Sequence, residues 1–498
     1  MNVNPITRLD YPDPDVIRVE DTYYMVSTTM HFMPGCEILQ SFDLVHWEHV
    51  TYVYETLDHT DAQQLKSGQN IYGQGMWAAS LRYHEGRFYI CFVANDTRKT
   101  YLYTSEKIDG PWKKQLIEGF YHDASLLFDE DGRNYIVYGN DEIWITELNE
   151  DLTAPKKDGL HRLLVSDHKN PELGYEGSHI QKINGYYYIF LVHSLRDRWM
   201  RTEACFYSDS LEGEFTGGDV LCDDRGYCGQ GVAQGGIVDT PDGKWYAMLF
   251  QDSGAVGRIP ILLPVTWKDH FPVFGQNGHV PEEIEVHSTR PGYIYQPLVG
   301  SDDFCNGLLP RWQFNHDPDP RYYHLDALQG TYTITTQEVC TELTQAVNTL
   351  TQRMSYPSCA AEVTVDASAL KEGDVAGLCA LQGCYAAVGI TKHHGKYEVL
   401  MLDKKEDGIL DMTEGTVVES HQMDFRLEAD FCNMKDEARC YYRVNKGDWL
   451  PIGTVHKLYF KLDHFTGCRF GLFCYAAEET GGSACFRDFK YYDVDEIS

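Results

Sequence analysis

In five stretches of this chain apolar and polar positions alternate with a period of two, the pattern of half-buried strands. The alternation comes in pairs. An alternating run leads into a tight acidic or glycine-containing turn and then into an aromatic-rich run. This hairpin unit occurs at residues 16–26, 80–90, 125–137, 178–189 and 236–248. Asp131-Gly132, Asn184-Gly185 and Asp242-Gly243 are strong hairpin-turn signals, because both residue types tolerate the left-handed backbone that such turns need. Successive units start 64, 45, 53 and 58 residues apart, enough for a four-stranded sheet with its loops. Lone hairpins are marginal in water. Five strand-rich repeats of this size therefore predict a five-bladed β-propeller over residues 1–299.

In a propeller the innermost strand of each blade begins near the central axis, so the residues just ahead of it converge. Those positions hold Asp13, Trp77, Asp123, Glu176 and Gln234. Three of the five are acids, in a place where a carboxylate loses solvation unless it has a partner or a task. Asp13 sits between Pro12 and Pro14. The prolines fix their own φ and restrain the residue between them, so its carboxylate is stiffly aimed. Asp10 and Asp15 flank it and stand as alternatives. Carboxyl groups gathered around a pocket are the equipment of glycoside hydrolysis: one activates water and another protonates the leaving oxygen. A third acid nearby raises the pKa of the proton donor by like-charge repulsion. Trp77, Phe32 and Trp144 are candidates for stacking on sugar faces. Arg258, in Gly257-Arg258-Ile259-Pro260, offers a guanidinium to sugar hydroxyls and to the carboxylates.

After residue 300 the hairpin pattern stops. Short plain strands at 361–365, 385–390, 397–401 and 469–474, separated by frequent turns, predict a β-sandwich over residues 300–498. The chain as a whole is all-β.

Composition narrows the function. With 75 acidic against 42 basic residues the net charge is −33, which argues against binding nucleic acid or an anionic membrane. No apolar run approaches the roughly 18 residues of a membrane span, and the first residues carry no basic, apolar leader. The 15 cysteines follow no paired metal or redox spacing; buried thiols in a reducing cytoplasm are expected.

The segments Tyr11-Pro12-Asp13-Pro14, His122-Asp123-Ala124-Ser125, Tyr175-Glu176-Gly177-Ser178-His179 and Thr240-Pro241-Asp242-Gly243-Lys244-Trp245 resemble glycoside hydrolase family 43. The resemblance implies five-bladed propeller enzymes acting with inversion on arabinan and xylan fragments. It implies Asp13 as general base, Asp123 as the acid that tunes and orients, and Glu176 as general acid. Trp77 and Arg258 match sugar-subsite positions, and Met30 falls where xylosidase-type members carry an aromatic. The ending of the chain is similar to the concanavalin-like sandwich appended to such members. Ala124 and Ser178 stand where the family often has proline, and Gln234 where many members have a histidine that helps to hold a central ion. A calcium ion in the central channel is thus a family expectation for which the sequence offers no obvious oxygen ligand set; no metal ligand and no required cofactor are assigned. The expected activity is exo-acting release of arabinofuranose or xylose from oligosaccharides in the cytoplasm, by a monomer or a homo-oligomer. A non-catalytic carbohydrate-binding propeller and a retaining glycosidase are the alternatives. Retention needs carboxyls about 5–5.5 Å apart and inversion about 6.5–9.5 Å.

Overall fold

The computed structural model describes residues 2–413, 415–461 and 465–493. Its regular structure is almost wholly strand, and no helix among these residues is long and apolar enough to cross a membrane.

Each sequence repeat becomes one four-stranded antiparallel sheet. The inner strands are Asp15–Val19, Met76–His84, Ser125–Phe128, Glu176–Ile183 and Val232–Asp239. The hairpin turns lie where the sequence places them: His84 pairs with Arg87 and Ile183 with Tyr186. The turn residues Glu85-Gly86 and Asn184-Gly185 all have positive φ, as a two-residue turn between right-twisted strands requires. Apolar clusters lie between the blades; one joins the first and second through Val26, Ile38, Leu81 and Phe92.

The ring closes on itself. Asn2–Val3 pairs with Glu283–Ile284, and the Asn4 side chain donates to Leu262 O at 2.7 Å and accepts from Leu262 N at 3.1 Å. Residues 285–300 then run back along the first blade, where Tyr295 Oη accepts from Phe42 N at 2.9 Å.

The second half forms a sandwich of one nine-stranded and one seven-stranded sheet. The larger sheet contains Ala386–His393, Lys396–Lys404 and Arg469–Tyr475, and its edge is a propeller segment: Phe32–Met33 pairs with Gln313–Asn315. The two cores are continuous, since Ala255, Val256 and Ile259 of the fifth blade pack with Phe470, Leu472 and Leu350. A buried cation bridges the same seam. Arg353 Nη1 lies 2.8 Å from Glu37 Oε2, and its Nε donates to Asp10 O at 2.9 Å. The sandwich is therefore built into the face of the propeller on which the candidate residues gather.

Candidate active site

The inner strands are irregular at the end where the acids sit. Asp13, Asp123 and Gln234 have φ of 52°, 47° and 64°, and Gly177 has 65°. Register shifts fall between Met76 and Ala79, Glu176 and His179, and Ala233 and Gly236. A left-handed residue or bulge re-aims the following side chains. It costs of order 1–3 kcal/mol per non-glycine residue, and such strain concentrates at functional sites. At Gly177 the choice is forced twice, because a Cβ there would also come within 2.7 Å of Gln234 Cγ.

Asp13 is buried. Its Oδ1 accepts from Arg258 Nη1 at 2.7 Å and its Oδ2 from Thr28 Oγ1 at 2.6 Å. Pro12 O accepts from Ser27 Oγ at 2.6 Å, which ties the proline stretch to the neighbouring strand. Thr28→Val removes the donor to Oδ2 inside a buried site. The expected result is a loss of about tenfold in kcat/KM, equivalent to about 1.4 kcal/mol, with the fold retained, measured by steady-state kinetics. The two flanking acids are employed elsewhere. Asp15 Oδ2 accepts from Leu81 N at 2.7 Å and Arg82 Nη1 at 2.8 Å. Asp10 Oδ1 accepts from Arg258 N at 2.7 Å.

Asp123 and Glu176 share a second cluster. Asp123 Oδ2 accepts from Gly177 N at 3.0 Å. Glu176 Oε2 accepts from Asn140 Nδ2 at 3.0 Å. The His122 ring lies between them, with Nε2 3.5 Å from Glu176 Oε2 and 3.6 Å from Asp123 Oδ2. Burial, helped by the charges of Glu176 and Asp13, pushes the Asp123 carboxyl up to about 6 against the pull of His122. Burial alone would lower His122, but Asp123 and Glu176 outweigh it and raise the imidazole to about 9. Burial would likewise raise Glu176; the hydrogen bond and charge of His122, with Arg201 and Arg258, bring it below the usual carboxylate range.

Two arginines floor the site. Asp252 bridges them, with Oδ2 accepting from Arg201 Nε at 2.9 Å and Oδ1 lying 3.2 Å from Arg258 Nε. The Arg258 guanidinium lies between Phe250, 4.6 Å from the ring centroid, and Phe465, 3.9 Å away. Phe465 belongs to the sandwich half of the chain and also meets Trp77 edge-on at 5.3 Å. Trp77 Nε1 and Arg201 Nη1 are buried donors without a partner among the described residues.

Asp13, Asp123, Glu176, Trp77 and Arg258 are thus brought together. Gln234 lies beneath them: its side chain packs under Gly177 and its backbone N donates to Glu203 Oε2 at 2.7 Å. Met30 is fully buried, its backbone bridged to Met76 in both directions. Phe32 and Trp144 are corrections to the stacking expectation. Phe32 is buried at the sandwich edge with the Arg469 guanidinium 3.5 Å from its ring centroid, so protein covers that face. Trp144, on the third strand of its blade, stacks on His161 of the outermost strand at 5.2 Å, so that a protein ring covers one of its faces. Sequence reasoning missed His122, Asn140, Arg201, Asp252 and Phe465. His122 was adjacent to a chosen acid, whereas nothing in the pattern around Phe465 marks it.

For a hard cation several oxygen ligands are needed. Around Gln234 no grouping of three His, Cys, Asp or Glu ligand atoms forms among the described residues. His122, Asp123 and Glu176 do come within 4.8 Å of one another, but their atoms are engaged with each other, Gly177 N and Asn140. Among the described residues, His, Cys, Asp and Glu side chains do not make an oxygen-rich cation site around Gln234.

Residues 3–272 match the model of glycosyl hydrolases family 43, and residues 301–492 that of the β-xylosidase C-terminal concanavalin A-like domain. A β-xylosidase of Formosa agariphila is 27% identical over 99% of this chain and 89% of that protein. A non-reducing end α-L-arabinofuranosidase of Bacteroides ovatus is 26% identical over 66% of this chain and 63% of its own. Among solved structures, a bifunctional GH43-CE protein of Bacteroides eggerthii superposes with a TM-score of 0.91 at 42% identity, over 100% of this chain. This chain spans 64% of that protein's length.

Proposed function

The chain belongs to glycosyl hydrolases family 43, and from that premise we propose that it is an exo-acting, inverting glycosidase. It removes a terminal α-L-arabinofuranose or β-D-xylose from arabinoxylan- or xylan-derived oligosaccharides. The observation that carries the reading is the contrast between the environments of the acids. Asp13 is gripped by the guanidinium of Arg258 and the hydroxyl of Thr28, which aim its carboxyl group as a general base must be aimed. Glu176 is held through one oxygen by Asn140 beside the protonatable His122, the setting for a proton donor. Two carboxyl groups placed in such different settings are how one pocket divides acid and base work.

Asp13 takes a proton from water as the water oxygen bonds to the anomeric carbon. The glycosidic C–O bond breaks, and its oxygen takes the proton of Glu176. Asp123 adds negative charge beside the donor and orients Glu176 through Gly177 N. Trp77 Nε1 and Arg201 Nη1, without acceptors among the described residues, are the donors proposed for sugar hydroxyls. Phe465 closing against Trp77 and Arg258 favours short substrates over an open cleft.

The test is a panel of aryl α-L-arabinofuranosides and β-D-xylosides, with and without chelator, followed by proton NMR of the first-formed sugar. Pentose release with an inverted anomer and no chelator effect is expected. A retained anomer overturns the inverting assignment, and no release from any member overturns catalysis on pentosides.

A further inference from the structure

His122 has no task in the steps above, yet among the described residues it is the ionisable ring that lies against the proposed acid. An inverting cycle ends with Asp13 protonated and Glu176 bare, so each turnover must return a proton to Glu176. Glu176 Oε2 faces two donors. Asn140 Nδ2, at 3.0 Å, is an amide and cannot release a proton. His122 Nε2, at 3.5 Å, can. The position of the ring is fixed from several sides. His122 O accepts from Gly139 N at 3.0 Å, and the ring meets Trp77 edge-on at 5.9 Å. The side chain is 19% exposed, against 6% for Asp123, so it retains a path to solvent.

We propose that His122 is the proton store of Glu176: it carries the proton in the open pocket and passes it from Nε2 to Oε2 when a glycoside displaces water. This rests on Glu176 being the general acid. His122 is then a positioning residue that acts through Glu176. The imidazolium N–H bond breaks as the Glu176 O–H bond forms, leaving neutral imidazole. That proton goes on to the leaving oxygen. Asp13 later yields the proton it took from water, and the imidazole regains one from solvent, so the cycle closes without net change.

Substrate entry supplies the drive. Excluding water penalises separated charges more than a neutral acid and imidazole. The groups facing the ring are Asp123, Glu176 and Asp13, all acidic, while Arg201 and Arg258 act on Glu176. Held up at about 9, the imidazole is loaded below that pH and unloaded above it.

The test uses His122→Asn and His122→Gln in the full chain, assayed on an unactivated disaccharide and on a 2,4-dinitrophenyl glycoside of the same sugar. The activated leaving group needs no proton. We expect kcat on the disaccharide to fall about 100-fold, the lower range for lost acid assistance. The dinitrophenyl glycoside should stay within about threefold, and the alkaline limb of kcat/KM should move to lower pH. Equal losses on both substrates with an unchanged pH profile, in either variant, overturn the proposal. Glu176→Gln run in parallel separates the two readings, because a loss there that ignores the leaving group overturns Glu176 as the acid.

Discussion

Asp13→Asn is expected to lower kcat on an unactivated disaccharide by about 10³- to 10⁴-fold, the upper range for loss of a general base, while the protein stays folded. The amide has the shape of the carboxylate. Its oxygen can keep the 2.7 Å bond from Arg258 Nη1. Its nitrogen can donate to Thr28 Oγ1, which turns from donor to acceptor across the present 2.6 Å. What is lost is the ability to accept a proton from water. Thermal unfolding and steady-state kinetics, run together, check the pair of outcomes. Turnover near that of the parent protein would remove Asp13 from the mechanism.

Arg258→Leu is expected to do the opposite kind of damage, abolishing activity and stability together. Arg258 is buried, 2.7 Å from Asp13 and 3.2 Å from Asp252. Without it both carboxylates face an apolar side chain. Breaking a buried pair by removing one partner costs about 3–5 kcal/mol. Stacking between Phe250 and Phe465 adds to the loss, because a leucine cannot reproduce that cation–π contact. Lysine would keep the charge without the planar fork that reaches two carboxylates at once, so Arg258→Lys should fall between. Denaturant unfolding curves beside kinetics decide the point. Full stability in the leucine variant would show that Thr28 and Arg201 suffice to hold the two aspartates.

Much of this was legible because propeller geometry is repetitive. Once five hairpins are seen, the positions ahead of each inner strand are selected together, and Asp13, Trp77, Asp123 and Glu176 fall out of the register. The sandwich strands were also legible, as short apolar runs bounded by turns, because strands such as Arg469–Tyr475 are buried on both faces. What stayed hidden depends on meetings between distant segments. Phe465 reaches Trp77 and Arg258 from a part of the chain whose local pattern only says strand and turn. Arg201 and Asp252 look like ordinary strand residues until their 2.9 Å contact is seen beneath the pocket. Phe32 misled for the same reason: aromatic character is visible in a sequence, but the guanidinium of Arg469 that covers the ring is not. Trp144 was misread on depth, because a strand pattern gives the face of a sheet more readily than the distance from the axis.

The pairing of Phe32–Met33 with Gln313–Asn315 also bears on how the polypeptide is made. About 280 residues separate Met33 from its partner Phe314, and Asn2–Val3 finds its own partner only at Glu283–Ile284. At about 5–20 residues per second of synthesis, Asn2–Val3 and Phe32–Met33 wait roughly a quarter-minute to a minute before either finds its partner strand. Unpaired edges recruit other strands. These two short strands are thus paired late, and crowding or slow translation weighs most heavily on them.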